Sequence, residues 1–213
     1  MEKTIIVQGT GVLRMRPNWV IVCMNIENRG KEYHTVMKQA NEDLEALRIA
    51  VVSAGFGKTS CKTTGFHIDT QYQSGSDGTS ELECYVARHG LRMEFPLQKR
   101  RLNMLLSALS SCLVTPEISI HFTVKEKGQV AEQLLENAVE DARKRAKILA
   151  RAAGEKLGDL KQVEYHGKDW NLESATHYGM PPQLLRASTE TIRMEPEQIV
   201  VQDTVTVIWK LEK

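Results

Sequence analysis

The sequence predicts an α+β fold, with largely antiparallel sheets and helices packed on one side. Apolar residues alternate with polar ones near both ends of the chain, as they do in half-buried strands. Between the ends, segments of helical period separate further alternating segments, without the regular β-α-β succession of a doubly wound sheet. The predicted order is β-β-α-β-β-α-β-α-β-β in a single domain over residues 1–213, and a division into lobes 1–96 and 97–213 is left open.

Length and composition exclude several classes of protein. A chain of 213 residues buries roughly 70% of its unfolded surface, so its core needs no disulfide or metal. Lys and Arg number 28 against 27 Asp and Glu, and this balance leaves no field to attract nucleic acid or an anionic membrane. The cysteines form no C-x-x-C pair, and we expect them to be reduced and structurally dispensable; they are Cys23, Cys61, Cys84 and Cys112.

The first two strands are predicted on either side of a turn at Pro17 and Asn18. Because the connection is so short, we expect these neighbouring strands to pair antiparallel. Gly9 and Gly11 lie within the first strand, where glycine indicates a bulge or the close approach of another backbone. One face of each strand is apolar, formed by Ile5, Val7, Gly9, Gly11, Leu13 and Met15 and by Val20, Val22, Met24 and Ile26.

A helix and a long hairpin are predicted next. The helix runs from about residue 31 to Gly55, a residue suited to a C-terminal cap. The hairpin covers residues 61–95, with Asp77 and Gly78 near its tip. In its second strand the apolar parity changes across Gly90, so a bulge near Gly90 would restore a single apolar face. The apolar face of the helix is expected to contain Tyr33, Met37, Ala40, Leu44, Leu47 and Val51.

A short helix at Leu102–Leu109 and a strand near 118–124 precede a long helix of unusual composition. The stretch "ENAVEDARKRAKILARAAGEKLG" places four alanines four residues apart, at Ala138, Ala142, Ala146 and Ala150. Small side chains let a helix backbone lie close to a partner, so the stripe predicts close packing, and Gly154 is expected to cap the helix. The last strands are predicted around 160–165 and 201–211.

Residues 167–196 form a long segment without clear strand or helix periodicity. A connection of this length is too long for an ordinary loop, which favours a functional or disordered segment. Its apolar and aromatic residues favour the core of a subunit interface, although packing back on the same domain is an alternative. They are Trp170, Tyr178, Met180, Leu184 and Leu185.

The motifs that could carry chemistry are weak. "GFGKT" at 55–59 lacks the first glycine of a phosphate loop and follows a helix, so a helix-capping turn is favoured. His67 and Asp69 lie two residues apart on one strand face, but no third metal ligand is identifiable and polar surface residues are favoured. No catalytic set can be assembled from spacing. We therefore expect neither an enzyme nor a bound metal or cofactor.

The ordered motifs together resemble the SIMPL-domain family. This family is a large group of mostly bacterial proteins, best known as periplasmic immunogenic or oxidative-stress-associated proteins, with a eukaryotic relative tied to kinase signalling. The resemblance implies an α+β domain that assembles into large ring- or channel-like homo-oligomers, with no established catalytic residues. It covers nearly the whole chain, through "IIVQGTGVLRMRPNWVIV", "TTGFHIDTQY", "CYVARHGLRMEF", "ARAAGEKLG" and "VTVIWKL".

The resemblance is carried residue by residue. Gly9, Gly11 and Pro17 match the first strand and turn of the family, and Asn18 stands where an aspartate is common. The positions that match the hairpin and the helix signature are Thr64, Tyr72 and Tyr85, and then Ala138, Ala142, Ala146, Ala150 and Gly154. The family's leader peptide has no counterpart in this sequence.

Three functions follow as expectations. The first is a non-enzymatic, self-assembling SIMPL-domain protein with a stress-protective role. The second is an adaptor that binds a protein partner through residues 167–196, and the third is a small-ligand binder or enzyme with a site between lobes. Neither a signal peptide nor a membrane span is predicted, which favours a cytoplasmic location; a chain trimmed of its leader would be periplasmic or extracellular.

Overall fold

A computed structural model describes residues 3–74, 80–182 and 194–213, and within these ranges the fold is α+β, as predicted. The strands are β1 (Thr4–Met15), β2 (Trp19–Gly30), β3 (Lys62–Ser74), β4 (Ser80–Pro96), β5 (Glu117–Thr123), β6 (Lys156–Glu164), β7 (Glu173–Met180) and β8 (Ile199–Glu212). The helices are α1 (Tyr33–Ser53), α2 (Lys99–Ser110) and α3 (Lys127–Ala152).

The chain divides into two compact units made of interleaved segments. The three-strand unit contains Met1–Pro17, Thr123–Ala175 and Glu197–Lys213. The five-strand unit contains Asn18–Phe122 and Thr176–Pro196. Neither unit is contiguous in sequence, so the division differs from the lobes 1–96 and 97–213 considered above.

The three-strand unit contains a sheet in the order β1-β8-β6 and the helix α3. β1 pairs antiparallel with β8 without a register shift, from Thr4↔Lys210 to Met15↔Ile199. The predicted pairing of the first two strands is therefore wrong, because β2 pairs with β4 in the other sheet. The physical reason lies in the side chains: β1 presents glycines to its core, whereas β2 presents large apolar residues to a different one.

The five-strand unit contains a sheet in the order β3-β4-β2-β5-β7 and the helices α1 and α2. Its core joins the inward faces of β2, β4 and β5 to both helices. The predicted hairpin is confirmed, since β3 pairs antiparallel with β4. Its expected tip at Asp77 and Gly78 lies outside the described residues. After α1, Gly55 adopts a φ of 83°, a left-handed conformation that suits the predicted cap.

The predicted bulge near Gly90 is wrong. β4 pairs with β2 in one unbroken register, from Trp19↔Pro96 to Gly30↔Tyr85. Buried Ala87 and His89 continue the inward parity of Leu91, so β4 needs no extra residue there. The register shift lies across the ladder in β3, between Thr63 and Gly65.

Part of the segment 167–196 is a regular strand, so its description as irregular is wrong. β7 is hydrogen-bonded beside β5 and adds one strand to the predicted order. Its more buried positions alternate as Ser174, Thr176, Tyr178 and Met180. Two hydroxyl side chains in this set disguise the alternation, which is why an apolar pattern did not reveal the strand.

Candidate functional site

The alanine stripe of α3 packs against β1 of the same unit. Ala138, Ala142 and Ala146 are completely buried. A Cβ added to Gly9 would lie 2.1 Å from the Ala138 carbonyl oxygen and 2.4 Å from the Ala142 nitrogen, and one added to Gly11 would lie 2.0 Å from the Leu134 oxygen. The glycines and alanines that the sequence singled out thus form one close backbone contact. Ala150 extends the buried stripe, and Gly154 follows it with a φ of 74°.

Asp141 of α3 occupies the free edge of β1. The Thr10 backbone N–H donates to its Oδ2 at 2.8 Å, and Arg145 Nε lies 2.9 Å from the same oxygen. These interactions, the backbone hydrogen bond foremost, lower the pKa of the Asp141 carboxyl. Because β1 is an edge strand, the carboxylate takes a donor that another strand could otherwise have used.

Asp203 is a buried carboxylate in β8, opposite Gly11. It accepts hydrogen bonds from the Tyr165 hydroxyl at 2.9 Å and from the Trp170 indole Nε1 at 3.2 Å. Burial, and then the hydrogen bond to Asp203, raise the pKa of Tyr165. This network fastens residues 165–170 to the sheet of their own unit.

The apolar residues predicted to form a subunit interface are partly used inside their own units. Trp170 packs against the cluster of Leu134 and Ile199. The Tyr178 ring meets Phe122 edge to face at 6.1 Å. Met180 packs, like Tyr178, against the core of the five-strand unit. The alternative of packing back on the same domain therefore holds for these three; Leu184 and Leu185 lie outside the described residues.

One face of the five-strand sheet is charged. Arg88 bridges two carboxylates, with Nε 2.9 Å from Glu27 Oε2 and Nη1 2.5 Å from Asp69 Oδ2. The guanidinium groups of Arg29 and Arg88 lower the pKa of Glu27. Asp69 is thus held in an ion pair. The described residues contain no group of three side chains able to hold a metal, so His67 and Asp69 are a polar surface pair here.

A polar cleft of about 690 Å³ lies on this charged face. Gly65 and Gly90 are opposite each other in register and both line it. A Cβ added to Gly90 would lie 2.9 Å from Thr64 Oγ1. Gly90 therefore serves close approach rather than a bulge. The cleft also contains Asn25, Glu27, His67, Arg88 and Glu117.

The three-strand sheet has a second face, turned away from α3, which we call the outer face. It consists of four directly opposed pairs between β1 and β8, Ile6–Ile208, Gln8–Thr206, Thr10–Thr204 and Val12–Gln202. None of these side chains is buried, and none is charged. An antiparallel sheet face left in water usually carries polar and charged side chains.

Sequence reasoning missed several residues of these sites. Asp203 had a visible signal, because it occupies an inward position in the alternation of Val201, Val205 and Val207. Asp141 had none, since an acidic residue on a solvated helix face is ordinary. Among the cysteines, which are all free thiols, Cys61 is the buried one, whereas burial had been expected for Cys23 and Cys84.

No helix among the described residues is long and apolar enough to cross a membrane. A protein-family model described as SIMPL, protein of unknown function (DUF541), matches residues 5–209. This range includes the glycines of β1, the alanine stripe of α3 and most of β8. No curated protein matches the chain.

Proposed function

The chain belongs to the SIMPL family, whose function is unknown, and we propose that it is a non-enzymatic module that assembles with copies of itself through the outer face. The observation that carries this proposal is an uncharged, partly apolar sheet face in contact with solvent. Ile6 is 64% exposed and Val12 is 44% exposed. Monomers rarely leave a contiguous apolar patch of this kind in water.

The geometry of the outer face suits face-to-face stacking. Its side chains stand on two strands in unbroken register, so they form four regular rows. β-Branched residues, here Ile, Val and Thr, pack well on a pleated surface. Two such faces can interdigitate at the spacing of about 10 Å that is typical of stacked sheets.

A second copy of the chain is the occupant that the charge distribution favours. In a two-fold dimer the same patch meets itself, so every charge on it would face a like charge. The four rows carry no charge, and self-pairing therefore meets no such repulsion. A partner of strong charge would gain nothing from this face.

The adaptor hypothesis has less support. It depended on apolar side chains of residues 167–196, and Trp170 and Tyr178 lie partly buried in their own units. Stress protection is an expectation that follows from the family resemblance. It enters this proposal only as the setting in which assembly would be used.

Light scattering of the intact chain and of the double variant Ile6→Glu/Val12→Glu tests the proposal. We expect an oligomeric mass for the wild type and a lower mass for the variant, because each interface would bury unpaired carboxylates at a cost of several kcal/mol. Circular dichroism should show an unchanged fold, since both positions are exposed. The matched control is Ile148→Glu, an exposed apolar position on α3 in the same unit (57% exposed), which should keep the wild-type mass.

Two outcomes would contradict the proposal. A wild-type chain that stays monomeric at high micromolar concentration would exclude self-assembly. An oligomer whose mass is equal in the wild type and the double variant would move the interface to another surface.

A further inference from the structure

We propose that a second cleft in the five-strand unit binds a small oxyanion, such as phosphate or the phosphate group of a small hydrophilic molecule. The cleft has a volume of about 630 Å³ and lies where β3 begins beside β4. It is lined by Thr59, Ser60, Lys62, Thr63, Thr64, Arg92 and Glu94. The site is independent of the outer face, and assembly is not needed to form it.

Two cations stand side by side in this cleft. Lys62 and Arg92 are directly opposed partners in the β3–β4 ladder, so their side chains leave the same face of the sheet. Lys62 has no ion-pair partner among the described residues, and its ammonium group is available to a ligand. With Glu94 as the single lining carboxylate, two positive groups against one negative group leave a net positive charge.

Glu94 orients Arg92 without covering its outer nitrogens. Glu94 Oε1 lies 2.8 Å from Arg92 Nε, an ion pair that lacks the alignment of a hydrogen bond. The other carboxylate oxygen, Oε2, accepts from Trp19 Nε1 at 3.4 Å. Within the described ranges neither Nη of Arg92 has a partner. A guanidinium held at Nε presents these two nitrogens as a planar fork, which matches a phosphate or carboxylate.

Hydroxyl groups complete the donor set. Thr59, Ser60 and Thr64 line the cleft, and each hydroxyl can donate one hydrogen bond to an anion. A tight turn places the first two at the entry to β3, because the Ser60 N–H donates to the Gly57 carbonyl at 3.0 Å. Thr63 is already engaged, since its Oγ1 lies 3.0 Å from His89 Nε2.

This site is distinct from the phosphate-loop motif considered in the sequence. "GFGKT" forms the end of α1 and the turn after it, with Gly55 as the cap. The donors of the cleft come from the residues that follow and from β4. The lining contains no aromatic ring, which favours a hydrophilic anion over a nucleobase-containing ligand, for which stacking would be expected.

Calorimetric titration of the intact chain with inorganic phosphate tests the site, with sodium chloride at matched ionic strength as the reference. We expect saturable binding to the wild type. Lys62→Gln should weaken it by about tenfold, because a charged hydrogen bond is lost. The matched control is Lys58→Gln, a lysine of the same turn that lines a different cleft and should bind like the wild type.

Further titrations identify the chemistry of the ligand. Glycerol phosphate should bind at least as well as phosphate, because the cleft is larger than one phosphate group, whereas succinate should bind more weakly if the tetrahedral oxyanion is recognised. Arg92→Lys keeps the charge but removes the fork, and it should bind more weakly than the wild type. Absence of saturable binding beyond the chloride reference, or equal losses in Lys58→Gln and Lys62→Gln, would overturn the proposal.

Discussion

At the scale of single residues, Gly9 and Gly11 decide how close α3 lies to β1. Glycine in a strand usually weakens it, because the unfolded chain loses more conformational freedom. Here the loss is offset by a contact that no larger residue allows, with the Ala138 and Ala142 backbone where a Cβ would be. The requirement is mutual, since the helix also presents only alanine to these positions.

Gly9→Ala should therefore destabilise the chain, by about 1–3 kcal/mol or more, through overpacking. The measurement is the free energy of unfolding in urea. The control is Gly179→Ala in β7, where an added Cβ meets nothing within 4 Å; its effect should stay within about 0.5 kcal/mol. Equal losses for both variants would show that the glycines matter for backbone freedom and not for the close contact.

At the scale of elements, α3 does more than cover the sheet. Its alanine stripe sets the distance to β1, and Asp141, one residue from that stripe, binds the Thr10 amide on the strand's free edge. The helix thus closes an edge that could otherwise recruit another strand. Assembly through the outer face is compatible with this arrangement, because the face and the edge are different surfaces of the same strand.

The charge of Asp141 should make this contact depend on pH. The folded-state pKa lies below the unfolded value of about 3.9, so the stabilisation is present above that value and is lost as the pH falls through the folded-state pKa. Asp141→Asn should melt below the wild type at pH 7, and the gap should close in acid. Glu140→Gln, an exposed neighbour, is the control and should show little gap. A gap of equal size at every pH would mean that the charge is unimportant.

The elements show what the sequence could and could not predict. The stripe of α3 and the glycines of β1 were predictable, because small residues at regular spacing have few uses other than close packing. β7 was hidden by Ser174 and Thr176 at its inward positions. The partner of β1 was also out of reach, since local pattern contains no information about which distant strand completes a sheet. The oxyanion cleft likewise depends on the register that brings Lys62 beside Arg92.

At the scale of the whole molecule, the interleaved units define which pieces of chain can fold. Residues 18–122 contain β2, α1, β3, β4, α2 and β5, which are all but one of the elements of the five-strand unit. A cut after residue 96 separates the sheet from α2 and β5, and so removes Leu105, Leu109 and Ile120 from one core.

A fragment of residues 18–122 should therefore unfold cooperatively in urea, with lower stability than the intact chain because β7 is missing. A fragment of residues 1–96 should show no cooperative transition, since much of its apolar sheet face is uncovered. Circular dichroism during the titration is the measurement. The reverse result, with cooperativity only in 1–96, would contradict the division into these two units.

The pairing of β1 with β8 also has a consequence for synthesis on the ribosome. β1 ends at Met15, and its partner begins only at Ile199. At about 5–20 residues per second, β1 waits on the order of 10–40 seconds for that partner to be made. During this interval the five-strand unit can already gather most of its strands, whereas the glycine-containing β1 remains a nascent strand without a sheet. Translation of the last strand, and not of the first, sets the earliest time at which the three-strand unit can form.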